Sequence, residues 1–289
     1  MDAFGQVRDR LRATLSVIGR WPPLVPVLFN QRVQAVLRKL PGSSSLYGEG
    51  WSRVHPFDRL NGTDTSGFLL VSQMRAASDH PALAHASMYG GSQPSFVRAA
   101  LDVIPDVGAS TFVDLGCGKG RALLVAAERP FRAVVGVELA ADLARVARAN
   151  AAIMAARHPE RPPVRVETAD AATYELPAGN VVLFLYDPFG AELMGRVVES
   201  VERAIQSERR AVYVIYYNPV SGHLFDASPL LRRRWARMLP CAREERGYGA
   251  ELDDAIVVWQ GGTAPPPPEP VNMAPIRLIP GRRAELVGD

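Results

Sequence analysis

Beyond Ser110 the chain alternates short apolar runs with stretches in which apolar residues recur at helical spacing. The runs are Thr111 to Leu115, Ala133 to Val137, Val164 to Glu167, Val181 to Tyr186 and Ala211 to Tyr217, and helices are predicted over 120–129, 140–156 and 191–206. Such alternation predicts an α/β fold, a doubly wound and mostly parallel sheet covered by helices on both faces.

The flanks read differently. Val7, Leu11, Leu15 and Ile18 recur at helical spacing, and Val33, Val36 and Leu37 resume the pattern after Trp21-Pro22-Pro23, so two helices are predicted before Leu40. Residues 41–88, rich in Gly, Ser, Asp and His, read as ordered loop with short helices rather than core. Ser92 is placed to cap a helix through Phe96, Ala100, Leu101 and Ile104. A last helix is predicted after Ser221, taking in Leu230, Leu231 and Trp235. Strands over about 236–246 and 255–260 then form an antiparallel hairpin at the sheet edge, turning at Gly247-Tyr248-Gly249. From Thr263 to Pro270 the chain is proline-rich and favours extended backbone without donors, which predicts a tail disordered or docked outside the core. The organisation expected is a helical and loop cap over 1–88, an α/β domain over 89–260 and a tail over 261–289.

Composition narrows the setting. In 289 residues of which 47% are hydrophobic, a sizeable core is available without staples, and Cys117 and Cys241 alone make no disulfide framework or zinc site. No apolar run reaches membrane-spanning length and no secretory leader pattern opens the chain, so a cytoplasmic protein is expected. The net charge is +3, but Arg8, Arg10, Arg12, Arg20, Arg32, Arg38 and Lys39 cluster early against Asp2 and Asp9. Without interleaved aromatic residues this reads as a solvated helix face on the cap; weak contact with a membrane surface is the alternative, and nucleic acid is disfavoured.

The chemistry concentrates in Phe112-Val-Asp-Leu-Gly-Cys-Gly-Lys-Gly-Arg-Ala-Leu-Leu124, a strand running through glycines into a helix. Glycines there permit positive φ and close approach of a ligand to the backbone, and the helix start offers free N–H groups. A phosphate loop is disfavoured because Lys119 sits between glycines rather than before Ser or Thr. For a dinucleotide, Gly116 and Gly118 supply two glycines of the fingerprint and Glu138 lies at the right remove. Arg121, however, occupies the third glycine position, and Asp114 would set a negative charge beside a pyrophosphate. A cationic, phosphate-free ligand suits the segment better.

Val113-Asp-Leu-Gly-Cys-Gly-Lys-Gly120, followed by Glu138 at the end of the next predicted strand, resembles the first two motifs of the class I, seven-β-strand S-adenosylmethionine-dependent methyltransferases. The resemblance covers about 89–260 and implies a seven-stranded sheet with an antiparallel terminal hairpin strand and S-adenosylmethionine as cofactor. It implies that Asp114 faces the amino-acid part of the cofactor, that Gly116, Cys117, Gly118 and Gly120 pass beneath it, and that Glu138, with Leu139 beside it, binds the ribose hydroxyls. Asp170, with Ala171, matches the residue that meets the adenine amine, while a loop Asp capping a turn is the competing reading. Tyr89, before Gly90 and Gly91, stands where related enzymes cover the methionine end; an ordinary hydrophobic contact is the alternative.

After the fourth strand comes Leu185-Tyr-Asp-Pro-Phe-Gly190, at the carboxyl edge where α/β sheets place reacting groups. It loosely resembles the Asn/Asp-Pro-Pro-aromatic motif of amino-methyltransferases, but Phe189 comes one residue early and the second proline is missing. Asp187 is the candidate for holding the methyl acceptor, with Tyr186 and Phe189 shaping the pocket. Asn218-Pro219 brings a second polar group to the same edge, or simply ends a strand. His55 and His223 are weak candidates for a base, and the five histidines show no metal-ligand spacing. Phe57, Asp58, Gly62, Asp64, Thr65 and Gly67 match a segment seen before the cofactor domain in a loosely described group of bacterial methyltransferases. The expected reaction is methyl transfer to nitrogen or oxygen on a small molecule or a protein side chain, protein amines included. An NAD-dependent oxidoreductase and a non-catalytic nucleotide-binding module are the alternatives.

Overall fold

The structure, a computed structural model, describes residues 53–69, 89–246, 248, 254–265, 276–278 and 284–286. The helices expected before Leu40, and the basic cluster they carry, lie outside the described residues. In chain order the elements are α1 (Pro56–Asn61), β1 (Phe68–Leu69), β2 (Tyr89–Gly90), α2 (Pro94–Leu101), β3 (Ser110–Leu115), α3 (Arg121–Ala126), β4 (Ala133–Val137) and α4 (Ala141–Arg157). There follow β5 (Val164–Glu167), β6 (Asn180–Tyr186), α5 (Ala191–Ser207), β7 (Ala211–Tyr217), α6 (His223–Asp226), β8 (Leu231–Leu239), β9 (Asp254–Gly262), β10 (Ile276–Arg277) and β11 (Glu285–Leu286).

Seven strands form one sheet in the order β5-β4-β3-β6-β7-β9-β8. Pairings from β5 through β7 are parallel, and β9 inserts antiparallel between β7 and β8. The chain winds outward from β3 through β4 to β5 and then returns to place β6 on the other side of β3. The crevice at the carboxyl ends of β3 and β6 is therefore the switch point at which such sheets bind ligands. Period-two alternation divides the core. Phe112, Phe184, Tyr213, Ile215 and Tyr217 pack with α2 and α3 on one face; Val113, Leu183, Leu185, Val212 and Val214 pack with α5 on the other. Both faces are covered, so β3 and β7 are buried along their whole length.

The five predicted parallel strands and the helices over α4 and α5 stand within a residue or so of expectation. Four readings need correction. The helix expected after Ser221 stops at Asp226, and Leu231 and Trp235 belong to β8, because edge pairing with β9 claims their backbone groups. Ser92 does not cap α2. Gln93 is its N-cap and Pro94 takes the first turn, while Glu245 accepts a 2.8 Å hydrogen bond from the Ser95 N–H. The segment 41–88 is expected to be loop with short helices rather than core; α1 is such a helix, but its Phe57 lies in the main core. Beyond 261, β9 continues to Gly262, and Ile276 and Ala284 are buried against the α5 face of the sheet, so part of the supposedly external tail is core.

Candidate functional site

The carboxyl edge collects the functional candidates on loops leaving β3, β4, β5, β6 and β7. Gly116, Gly118 and Gly120 follow β3 with φ of 82°, 55° and 87°, a conformation that glycine adopts without the steric cost a side chain brings. A Cβ on Gly118 would stand 2.4 Å from the Tyr89 ring, and one on Gly116 would stand 3.0 Å from Pro188. The glycine loop is thus pressed between β2 and the loop after β6, across the switch point.

Two carboxylates face this loop. Glu138 is buried and accepts from the Gly118 N–H and the Ala140 N–H, each at 2.8 Å, which ties the end of β4 to the glycine turn. Asp114, near the end of β3, is 4% exposed and has no hydrogen-bond donor among the described residues. Burial pushes its carboxyl well above the ordinary range, and the Glu138 charge pushes it further. Burial raises Glu138 as well, against the pull of its backbone donors, and raises the Cys117 thiol beside both. Leu139 is half-buried and Ala171 buried at the same edge. Asp170 accepts from the Ala172 N–H at 2.9 Å, so its side chain closes the turn after β5.

A second layer fixes the loop from outside. Arg121, 3% exposed, donates from Nε to Thr65 Oγ1 at 2.7 Å and from Nη2 to the Thr65 carbonyl at 2.8 Å, and lies 3.7 Å from Asp58 Oδ2. Tyr89 Oη donates to the same Thr65 carbonyl at 2.7 Å. Asp58 gathers donors from Thr63, Thr65 and Ser66. Burial alone would raise its carboxyl, but these hydrogen bonds and Arg121 together hold it below the usual range. Lys119 Nζ donates to Asp64 and to the Ser66 carbonyl, both at 2.8 Å, and Asn150 of α4 bridges Asp64 to the Lys119 carbonyl. Asp58 and Asp64 are thereby committed to holding 57–67 on the glycine loop. Sequence reasoning missed Arg121 and Asn150 as anchors. Asn150 was findable as the polar residue in the buried α4 stripe of Leu143, Ala147, Ala151 and Met154.

On the other side of the crevice stand Tyr186, Asp187 and Phe189. The Phe189 ring comes within 3.7 Å of where a Gly116 Cβ would lie. Tyr186 stacks on Tyr217 at 4.0 Å with the rings 4° from parallel. Asn218 Nδ2 donates to Asp187 Oδ2 at 3.2 Å, joining the ends of β6 and β7. No hydrogen bond joins His55 or His223 to this group among the described residues. His55 is buried, with Nδ1 accepting from the Phe57 N–H and Nε2 against Gln93 Oε1, and burial lowers it to about 4. His223 sits in α6 with a buried Nδ1 that lacks a partner among the described residues. No group of metal-ligating side chains occurs among the described residues, and no described helix is long and apolar enough to cross a membrane.

Comparison with known proteins places this edge in context. The family model described as histone methylation protein DOT1 matches residues 79–159, which take in Tyr89, the glycine loop and Glu138. Curated proteins gave no match. Among solved structures the chain is similar to a putative methyltransferase of Escherichia coli (14% identity, TM-score 0.44, 58% of this chain and 87% of that one). It is similar to a methyltransferase of Leishmania major described as S-adenosylmethionine-dependent (13%, TM-score 0.43, 58% and 70%). It is also similar to the 23S rRNA methyltransferase ErmE (16%, TM-score 0.40, 60% and 70%).

Proposed function

We propose that this chain is a class I S-adenosylmethionine-dependent methyltransferase that moves the methyl group across the β3–β6 crevice to a nitrogen or oxygen acceptor held at Asp187. The observation that carries the division of labour is the pair of buried carboxylates, Asp114 and Glu138, on the glycine side, facing a separate polar pair, Asp187 and Asn218, on the other. S-adenosylmethionine carries an ammonium, a sulfonium and no phosphate. Asp114, buried without a donor, suits the cationic methionine end, and Glu138 retains lone pairs for the ribose hydroxyls. Glycine at 116 and 118 lets the loop lie flat against Pro188 and Tyr89, where a Cβ would collide. A pyrophosphate would meet the Asp114 carboxylate, which weighs against NAD. Asp170 reaches the adenine only through what its turn leaves free.

Methyl transfer from a sulfonium is an in-line displacement, so rate comes largely from holding the acceptor lone pair on the sulfur–carbon axis. Asp187 accepts the acceptor's hydrogen and receives its proton, while Tyr186 and Phe189 wall the pocket. The acceptor, on a small molecule or a protein side chain, enters over β6 and β7. The test is to separate the two halves: Glu138→Ala should weaken S-adenosylmethionine binding by about 1 to 3 kcal/mol, as for a lost hydrogen-bonding partner, whereas Asp187→Asn should leave it within a few-fold. Equal loss in both variants would contradict the assignment.

A further inference from the structure

Among the described residues three that are not glycine have positive φ: Asp106, Asp187 at 37° and Asn218 at 52°. Two of the three are hydrogen-bonded to each other, at the carboxyl ends of adjacent parallel strands. Backbone held in this region costs about 1 kcal/mol or more per residue and persists where surrounding structure enforces it, commonly at functional sites. At Asn218 the enforcement is visible: its N–H donates to the Ala255 carbonyl at 2.9 Å and its own carbonyl accepts from the Val220 N–H at 2.8 Å.

The Asn218 amide is also unevenly used. Nδ2 is committed to Asp187 Oδ2, and that charge-assisted bond fixes which end of the amide is which. Oδ1 is then a buried acceptor without a partner among the described residues, in a residue 9% exposed. Leaving such an atom unpaired is costly, and a donor supplied by a ligand removes the cost. Tyr186, half-buried, stacks on Tyr217, the residue before Asn218.

Resting on the methyltransferase reading above, we propose that Asn218 is a specificity-determining residue which, with Asp187, seats a primary amine as methyl acceptor and stops the reaction at one methyl group. A neutral primary amine has two N–H donors and one lone pair. One donor meets Asp187, the other meets Asn218 Oδ1, and the lone pair is left for the methyl carbon. The nitrogen forms the N–C bond as the S–C electron pair returns to sulfur, giving a neutral thioether, and the resulting ammonium passes one proton to Asp187. A hydroxyl has one donor and leaves Asn218 Oδ1 unpaired. The monomethylated product has one N–H and suffers the same penalty.

The experiment uses the full chain with methyl-labelled S-adenosylmethionine and a panel of primary alkylamines, their N-methyl derivatives and the matching alcohols. Asn218→Gly removes the amide at a position whose φ glycine adopts freely, so folding is preserved; melting and cofactor titration confirm it. Expected are monomethylamine products from the wild type, transfer to alcohols and N-methylamines lower by about 10-fold or more, and in Asn218→Gly a similar rise in amine KM with cofactor affinity within about two-fold. Transfer favouring alcohols, dimethylated products, an unchanged amine KM in Asn218→Gly, or no amine product from protein that binds S-adenosylmethionine would each overturn the proposal. Failure of the wild type to bind S-adenosylmethionine would instead overturn the reading on which it rests.

Discussion

The Arg121 guanidinium lies 3.7 Å from the Asp58 carboxylate, with both side chains almost wholly buried. That contact joins the segment 57–67 to the first turn of the helix after the glycine loop. Breaking one side of a buried pair strands the other charge, which typically costs about 3 to 5 kcal/mol. Arg121→Gln should therefore lower unfolding free energy by about that amount, read from urea denaturation. A loss below about 1 kcal/mol would mean that the hydroxyl donors around Asp58 suffice without the cation.

Acid should act through His55. Its folded pKa of about 4 lies below the unfolded value of 6.5, because burial disfavours the imidazolium. Between those values the unfolded chain binds the extra proton, so the contribution is complete above 6.5 and is lost as pH falls towards 4. The difference corresponds to about 3 kcal/mol. His55→Asn keeps an acceptor for the Phe57 N–H and should flatten this part of the stability–pH curve. An unchanged curve would assign the acid sensitivity elsewhere.

Asp187→Asn keeps a residue tolerant of the 37° φ while removing the proton acceptor. Turnover should fall by about 10²-fold or more, the scale of lost acid–base help, with cofactor affinity little changed. Normal turnover would reduce Asp187 to a turn residue.

The segment after 265 should matter for stability. Ile276 is buried at 5% exposure in the core on the α5 face, and Arg233 Nη1 donates to its carbonyl at 3.0 Å. Ile276→Ala should cost about 2 to 4 kcal/mol, and removing 266–289 at least as much. A truncated chain with unchanged melting temperature would show that this packing contributes nothing.

The five parallel strands were legible because each is an apolar run bounded by turn residues, and Asp114, Glu138 and the glycines because that spacing has few uses. β8 was not: Leu230, Leu231 and Trp235 have helical spacing among arginines, and only pairing with β9, from farther along the chain, makes Leu231–Leu239 a strand. Arg121 was read as a missing glycine, since nothing local reveals that Thr65 and Asp58, more than fifty residues earlier, receive its guanidinium. The φ of Asp187 and Asn218, and the bond between them, likewise arise only when β6 and β7 lie side by side.

The central claim is that the glycine loop, Asp114 and Glu138 bind a cationic, phosphate-free nucleoside cofactor. Calorimetric titration of the wild-type protein with S-adenosylmethionine, with its demethylated product and with NAD tests it directly. S-adenosylmethionine should bind and NAD should not. Binding should weaken as pH falls, because burial has raised both carboxyls, and the cation needs Asp114 ionised as the ribose hydroxyls need Glu138. Saturable binding of NAD with no heat from S-adenosylmethionine would contradict the account.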